Sequence, residues 1–273
     1  MNPCAIAIFR NQADNAKKVI DALRVQVGDS LVVVLDRPSD SDRIAFTELG
    51  LPHIIESSRS IATRGSGDSA FMAGYCRNLG VTHAVSLGFT DFAFIDGDCI
   101  PQDTWFSAHS RLMSVEYPVI GVGRRREKKF GWKDMRESDP ALLNSGIFGK
   151  IDNLISNPDQ LTKSLITWSC NLSVNRKAHS LISRLNGKLY QRTELFSSRF
   201  DGEYGGEDSF LGIQAHSIRC AIVTLGESTS GVLHIDHPSM GGSMVDQMKF
   251  FQSELDSFRK LTRINRIGLS DLL

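Results

Sequence analysis

The sequence of residues 92–98 is FAFIDGD, a run of four apolar residues that stops at two carboxylates one residue apart. A continuous apolar run is typical of a strand buried on both faces, as in parallel sheets. Two earlier runs, CAIAIF at 4–9 and LVVVL at 31–35, stop at Arg10-Asn11 and at Asp36. Segments with helical periodicity separate these runs over the first 120 residues or so. The alternation predicts a doubly wound α/β sheet with ligands at the carboxyl ends of its strands.

The remaining elements follow from the same patterns. We expect helices over 15–23, 41–49, 66–79, 103–115, 176–185 and 205–217, and further strands over 53–55, 117–122, 165–174, 220–225 and 232–234. Ser41 is the expected N-cap of the second helix. After residue 243, apolar residues recur at intervals of three and four, which predicts an amphipathic helix to about residue 267. One domain with a C-terminal helical extension is the simplest organisation.

Composition excludes several classes of protein. The 273 residues carry 31 basic and 31 acidic side chains, so net charge gives no support for a nucleic-acid or membrane partner. No apolar run approaches the roughly 18 residues of a membrane span. The five cysteines are scattered without a CxxC pair, which disfavours a disulfide framework or a cysteine zinc site. We therefore expect a cytoplasmic protein.

Three motifs carry the candidate chemistry. Asp96 and Asp98 offer the hard oxygen ligands that suit Mg²⁺ or Mn²⁺ with a diphosphate, although DGD is also good turn chemistry. The GGED stretch at 205–208 places a carboxylate where it could take a proton from a hydroxyl, or merely at a favourable helix start. The late HIDHP stretch at 234–238 offers a neutral imidazole as a metal ligand or a structural histidine.

Taken in order, these motifs resemble the GT-A glycosyltransferases of family 2 and their galactosyltransferase-like relatives. CRNLG at 76–80 resembles the family's ARNxG, and SCNLSVNR at 169–176 resembles its acceptor-side GNxSxxR. The likeness covers about residues 4–240. Two departures stand out, since DRPSD at 36–40 replaces the usual DDGSxD and Cys170 stands where glycine is common.

The resemblance implies a GT-A fold with a mainly parallel sheet, and a metal-dependent, inverting hexosyltransferase. The donor would be a nucleotide-diphosphate sugar, with a UDP-sugar expected, and the cofactor Mn²⁺ or Mg²⁺. Residues 1–242 would form the glycosyltransferase domain, with a nucleotide-sugar half (1–120) and an acceptor half (121–242), and 243–273 the helical extension. The acceptor stays open between a glycan, a protein and a modified nucleic-acid base. The extension could mediate homo-oligomerisation.

On the donor side, the resemblance assigns Asp36 to the nucleobase or ribose, with Arg10 and Asn11 bordering the base pocket. Asp96 would hold the ribose or the metal. Arg77 could bind phosphate, or it could be a surface charge or pair with a carboxylate.

At the reaction centre, the resemblance makes Asp98 and His234 the metal ligands, with His237 in reserve. Asp208 would be the general base, and Glu207 would bind an acceptor hydroxyl or hold its loop.

Two other functions remain open. A nucleotidyltransferase acting on sugar phosphates also uses paired acids on an α/β sheet, but its glycine-rich loop is missing after Phe9. A non-catalytic nucleotide- or sugar-binding protein of the same fold is disfavoured by the intact acidic motifs. Trp132 and Trp168 could stack on a sugar or belong to the core. Arg64 could bind phosphate, or it could be a surface charge or pair with a carboxylate. The basic run at 124–129 could attract an anionic acceptor or simply face solvent.

Overall fold

A seven-stranded sheet with helices on both faces forms the centre of the molecule. The computed structural model describes residues 1–59, 72–127, 131–133, 167–203, 205–235 and 244–265. The strands are β1 (Pro3–Phe9), β2 (Leu31–Asp36), β3 (Ile54–Ser57), β4 (Asp91–Asp96), β5 (Cys99–Pro101), β6 (Val119–Val122), β7 (Arg125–Glu127), β8 (Gly131–Lys133), β9 (Asn171–Val174), β10 (Ala221–Thr224) and β11 (Val232–His234).

The helices complete the alternation. They are α1 (Ala13–Val27), α2 (Asp40–Glu48), α3 (Ala73–Ser86), α4 (Trp105–Met113), α5 (Arg176–Tyr190), α6 (Glu207–Ser217), α7 (Glu227–Ser230) and α8 (Met244–Asn265), with a 3-10 helix at Ser198–Phe200. The main sheet has the order β10-β6-β9-β4-β1-β2-β3, and a four-stranded sheet has the order β5-β11-β7-β8. In the main sheet β9 runs antiparallel to β4 and β6, and the other pairs are parallel. The predicted α/β fold with a mainly parallel sheet and a C-terminal helix is confirmed.

The central strands are apolar throughout because both faces of the sheet are covered. Alternate side chains of a strand point to opposite faces. Ile6 and Ile8 of β1 join the core beneath α3 and α5, whereas Ala7 and Phe9 join the core beneath α1 and α4. Every residue of β2 is buried. The continuous apolar runs in the sequence are thus the strands with a helical layer on each side.

Many element boundaries differ by a few residues from the sequence-based prediction, and three of these differences concern α2, α3 and β9. Helix α2 is capped by Ser39 rather than Ser41, because the Ser39 Oγ accepts from the Asp42 N–H at 3.1 Å and the Asp42 Oδ2 accepts from the Ser39 N–H at 3.0 Å. These two bonds form a capping box, so the helix begins at Asp40.

The other two differences concern α3 and β9. Helix α3 begins at Ala73, after its N-cap Met72. The predicted helix included residue 72, which is not helical, and residues 66–71 lie outside the described part. Helix α3 extends to Ser86 because Val81 and Ala84 continue its buried face. Strand β9 begins only at Asn171, whereas residues 167–170 form an irregular turn and residues 165–166 are outside the described part.

The apolar face of α8 packs against the rest of the chain. Phe251, Leu255 and Phe258 are buried, and the Phe258 ring lies 5.5 Å from that of Phe210 in α6. Helix α8 therefore covers α6, the helix that begins within the GGED stretch. In the part of the chain that the structure describes, none of the helices has the length and hydropathy to cross a membrane.

Candidate functional site

The carboxyl ends of β1, β2 and β4 lie at one edge of the sheet. The register pairs Ile8 with Asp96 and Phe9 with Leu35, so β1 lies between the other two strands. Asp36 and Asp96 therefore end strands that flank β1 from its two sides and do not pair with each other. The order of strands reverses at β1, with β2 and β3 on one side and β4 on the other. In open α/β sheets ligands bind in the crevice at such a switch point.

The DGD turn folds back over the end of β1. The Gly97 N–H donates to the Ile8 carbonyl at 2.8 Å, and a Cβ at Gly97 would lie 2.2 Å from the Phe9 ring. Any side chain at residue 97 would therefore displace the turn or the ring. The glycine is required so that Asp96 and Asp98 can stay close to the sheet edge.

Asp98 and His234 meet because β5 and β11 pair antiparallel. The register places Cys99 opposite His234, and the Ile235 N–H donates to the Asp98 carbonyl at 2.7 Å. The Asp98 Oδ2 consequently lies 3.4 Å from the His234 Nε2. The Cys99 Sγ donates to the other carboxylate oxygen at 3.2 Å. This juxtaposition joins residues far apart in the sequence at the end of β4.

The chemistry of this pair fits a divalent cation that arrives with further oxygen ligands. A carboxylate oxygen and an imidazole nitrogen are both ligands of first-row divalent metals, and both side chains are slightly exposed. Among the described residues, no group of three or more His, Cys, Asp or Glu side chains is arranged to hold a metal. Two protein ligands would leave coordination positions for diphosphate oxygens and water. Asp236 and the reserve ligand His237 lie outside the described residues.

Arg77 of α3 joins the two acidic motifs. Its Nη2 donates to the Asp96 Oδ1 at 2.6 Å and its Nη1 to the Glu207 Oε1 at 2.9 Å, and its side chain is only 2% exposed. Of the three roles that the sequence left open for Arg77, the contacts observed are those of carboxylate pairing. Burial of this kind requires that charges be paired, and here one guanidinium serves two carboxylates.

The balance of charge in this cluster shifts its protonation. Burial raises the pKa of Asp96 above its usual range, with Arg77 opposing and Asp98 adding to the rise. Burial and the neighbouring Asp208 raise the pKa of Glu207 to about 7, although Arg77 acts in the opposite direction. Burial alone would lower the pKa of Arg77, but Asp96, Glu207 and Asp208 together raise it. Acidic groups therefore outnumber Arg77 in this cluster, and the raised pKa values favour protonation of Asp96 and Glu207.

Asp208 is held at the start of α6 by the turn before β9. Its Oδ2 accepts from the Ser169 N–H at 3.1 Å and from the Ser169 hydroxyl at 3.2 Å, and its Oδ1 accepts from the Ser209 N–H at 2.7 Å. The Thr167 hydroxyl donates to its carbonyl at 2.6 Å. Asp208 is half-buried, whereas Glu207 is buried against Arg77. The two adjacent acids therefore have different surroundings.

Gly206 serves packing as well as conformation. Its φ of 93° lies in the left-handed region, and a Cβ there would lie 3.2 Å from the rings of Phe200 and Phe251. The neighbours that require glycine at residue 206 are thus aromatic rings, one of them from α8.

A second cluster lies at the ends of β1 and β2. Asp36 is fully buried, and both of its carboxylate oxygens accept from Arg37, from Nε at 2.9 Å and from Nη2 at 2.8 Å. The Arg10 Nη1 lies 3.6 Å from the Asp36 Oδ2. Burial, followed by the charge of Arg37, lowers the pKa of Arg10. Asn11 is exposed beside them. The sequence analysis named Arg10, Asn11 and Asp36 but missed Arg37, although it stands where the family motif has an acid.

Asn171 is a further residue whose role the sequence did not reveal. Its Oδ1 accepts from the Trp105 Nε1 at 2.8 Å and contacts the His109 Nε2 at 2.9 Å. Its Nδ2 donates to the carbonyls of Arg124 and Ser230 at 2.9 and 2.7 Å. All four hydrogen-bonding positions of the amide are thus used. Asn171 fixes the chain just before β11, and so supports the strand that carries His234.

The remaining candidate residues are Trp168, Trp132 and Arg64. Trp168 is half-buried before β9, and the Arg125 guanidinium lies 4.9 Å from the centre of its ring. Trp132 belongs to β8, and Arg64 is outside the described residues. A groove of about 1100 Å³ lies between the end of α5 and α8, bordered by Tyr190, Arg199 and Glu254 among others, and none of the predicted site residues lines it.

Known structures share this fold. No protein-family model matches the chain, and none of the curated proteins matches it. The mannosyltransferase PcManGT from Pyrobaculum calidifontis, in complex with GDP-Man and Mn²⁺, is 15% identical with a TM-score of 0.53, covering 96% of this chain and 64% of that one. Glucosyl-3-phosphoglycerate synthase from Mycobacterium tuberculosis, with Mg²⁺ and UDP, is 15% identical with a TM-score of 0.57, covering 95% and 79%.

A third similar structure is S. aureus TarS (residues 1–349) in complex with UDP-GlcNAc, 13% identical with a TM-score of 0.57, covering 94% of this chain and 66% of that one. This chain thus spans about two thirds of the length of the mannosyltransferase and of this TarS chain. Identities this low speak for the fold alone. The chain has the GT-A fold that its motifs predicted.

Proposed function

We propose that this protein is a metal-dependent hexosyltransferase that moves a sugar from a nucleotide-diphosphate sugar to an acceptor hydroxyl. The observation that carries the proposal is the convergence of Asp98 with His234, and of Asp96 with Glu207 through Arg77, at the switch point of the sheet. Similar folds have been solved with UDP or GDP-Man and with Mg²⁺ or Mn²⁺. The combination supports an enzyme that binds a nucleotide, a metal and a second substrate at one edge.

Asp98 and His234 would hold the cation through Oδ2 and Nε2. A divalent cation at this position would neutralise the negative charge that develops on the departing nucleoside diphosphate. Asp96 is held by Arg77 at the end of β4, which suits a role in holding the donor ribose. Arg77 itself is buried between acids and would act as a positioning residue rather than as a phosphate ligand.

The two acids of GGED would have different roles. Glu207 is buried in its ion pair with Arg77, so it suits a role in holding the loop. Asp208 is half-buried and oriented by Ser169, which suits a general base that accepts the proton of the acceptor hydroxyl. Attack from the face opposite the leaving group would invert the anomeric carbon, and no covalent nucleophile is needed for that outcome.

Calorimetry with the whole protein tests the proposal. Nucleoside diphosphates are titrated with and without Mn²⁺ into the wild type, Asp98→Ala and the control Asp21→Ala, which removes an exposed carboxylate on α1. We expect metal-dependent nucleotide binding in the wild type and the control, and its loss in Asp98→Ala with the fold intact. Unchanged metal-dependent binding in Asp98→Ala would contradict the assignment.

The product distinguishes the remaining alternatives. Slow, metal-dependent hydrolysis of nucleotide sugars without acceptor, releasing nucleoside diphosphate and sugar, is expected of a transferase. A nucleotidyltransferase would release pyrophosphate from a nucleoside triphosphate and a sugar phosphate. A binding protein would do neither.

A further inference from the structure

The carboxylate at the end of β2 is covered by its neighbours. Both oxygens of the buried Asp36 accept from Arg37 in a bidentate pair, at 2.9 and 2.8 Å, and Arg10 approaches one of them at 3.6 Å. The two arginine side chains keep 16% and 13% of their surface exposed, while Asp36 has none. The partly exposed charged side chains at this end of β2 are therefore the two arginines, and the Asp36 carboxylate is buried behind them.

The backbone makes this arrangement a local property. Arg37 has a φ of 49°, in the left-handed region, and its N–H donates to the Ser57 carbonyl of β3 at 2.8 Å. Asn11, the second residue after the end of β1, also has a positive φ, of 51°. Such conformations are unfavourable for residues other than glycine and concentrate at functional sites. Two of them after adjacent parallel strands are consistent with a ligand pocket at this edge.

The pocket lies where the nucleoside would extend. The cation held by Asp98 and His234 would fix the diphosphate near the end of β4, and β1 separates β4 from β2. Two strand spacings of about 4.8 Å set the distance from β4 to β2 at about 10 Å. A nucleoside can bridge that distance, so its base would reach Arg10 and Arg37.

We propose that Arg37, supported by Arg10, determines the specificity for the nucleobase, and that the protein prefers a base with two adjacent hydrogen-bond acceptors over uracil. This inference rests on the proposed function. A guanidinium donates to the paired O6 and N7 acceptors of guanine, and cytosine likewise presents two adjacent acceptors on its pairing edge. Uracil places an N–H donor between its two carbonyls, and adenine places an amino donor beside N7. A carboxylate at the surface would favour the uracil N–H, but here that carboxylate is covered.

The test compares four nucleotides on the full-length protein with Mn²⁺. GDP, CDP, UDP and ADP are titrated calorimetrically into the wild type, Arg37→Ala and Arg37→Asp, the last restoring the acid that the family motif has at this position. Arg43→Ala is the control, since Arg43 is an exposed arginine of α2 that pairs with Asp40 and Glu56. Arg37→Lys keeps the charge without the bidentate fork and serves if the other variants do not fold.

We expect the wild type and Arg43→Ala to bind GDP or CDP at least about 10-fold more tightly than UDP, the scale of one bidentate base contact. Arg37→Ala and Arg37→Lys should lose that preference, and Arg37→Asp should shift it toward UDP. Tightest binding of UDP by the wild type, or a preference unchanged in all three Arg37 variants, would overturn the inference while leaving the proposed function intact. Binding of no nucleotide by the folded wild type would overturn both.

Discussion

Two arginine–carboxylate clusters lie at the same edge of the sheet, and their ratios of arginine to carboxylate are opposite. At the ends of β1 and β2, two arginines surround one carboxylate, Asp36. At the end of β4, two carboxylates, Asp96 and Glu207, share one arginine, and Asp98 lies beside them. The first cluster offers hydrogen-bond donors to a ligand, and the second attracts cations and protons. A nucleoside diphosphate that carries a metal ion has complementary chemistry at its two ends.

The clusters also differ in how the chain assembles them. Asp36 and Arg37 are adjacent in the sequence, and Arg10 joins them through the pairing of β1 with β2. The bond from Arg77 to Glu207 spans 130 residues. The first cluster thus depends on local backbone conformation, whereas the second ties α3 to α6 across the core. Substitutions in the two clusters should therefore affect different properties of the protein.

The largest expected effect is on stability, from Arg77→Met. Methionine fills similar space but leaves Asp96 and Glu207 buried without their shared cation. Breaking a buried ion pair by removing one partner costs about 3–5 kcal/mol. We expect a loss of unfolding free energy in that range, measured by urea denaturation with unchanged m-value.

Arg43→Ala is the matched control, because its pairs with Asp40 and Glu56 are exposed and should leave stability nearly unchanged. A similar, small effect of both arginine variants would mean that the Arg77 cluster is hydrated and that the contrast between the two clusters is wrong.

The sequence predicted the elements whose signal is local. The apolar runs of β1, β2 and β4 identified the central strands because each is covered by helices on both faces. Their acidic or polar ends then marked the edge where a site belongs. The position of the α2 cap was missed because Ser39 and Ser41 are equally good caps by type, and the capping box with Asp42 decides between them.

The sequence could not predict contacts that depend on tertiary pairing. The Arg77 side chain has the same local surroundings in the sequence whether it binds phosphate or carboxylate, and only the approach of α6 brings Glu207 to it. Ser169 was noted within a motif, but its bonds to Asp208 arise from the irregular turn before β9, where we expected a strand. Arg37 covers Asp36 because of a left-handed backbone that its residue type does not favour.

The second-largest expected effect, after that of Arg77→Met on stability, is the effect of Asp208→Asn on catalysis. The amide keeps the size of the side chain and an oxygen for the Ser169 bonds but cannot accept the acceptor's proton. Loss of general-base catalysis costs about 10²–10⁴-fold in rate. We expect single-turnover transfer to fall at least about 10²-fold while donor affinity, which in the proposed site depends on Asp96, Asp98 and His234, changes little.

If Asp208 had a purely structural role, the expected results would be different. A lost helix-start interaction would cost about 1 kcal/mol of stability and leave the rate of the folded fraction nearly normal. Retention of configuration in the product would also argue against Asp208 as the base of an inverting reaction. The rate and the unfolding curve are therefore measured on the same variant.

The smallest expected effect concerns the start of α2, directly after the arginine-rich cluster. Ser39 caps this helix three residues after Asp36, and its hydroxyl and N–H both bond to Asp42. Ser39→Ala removes the cap and should lower the unfolding free energy by about 1 kcal/mol, whereas Ser41→Ala leaves the bonds between Ser39 and Asp42 in place and should cost clearly less. Because the cap lies outside the ion pair of Asp36 with Arg37, nucleotide affinity and base preference should be unchanged in both variants. A loss of base preference in Ser39→Ala would mean that the start of α2 holds Arg37 in place, and that the first cluster is less self-contained than its short-range contacts imply.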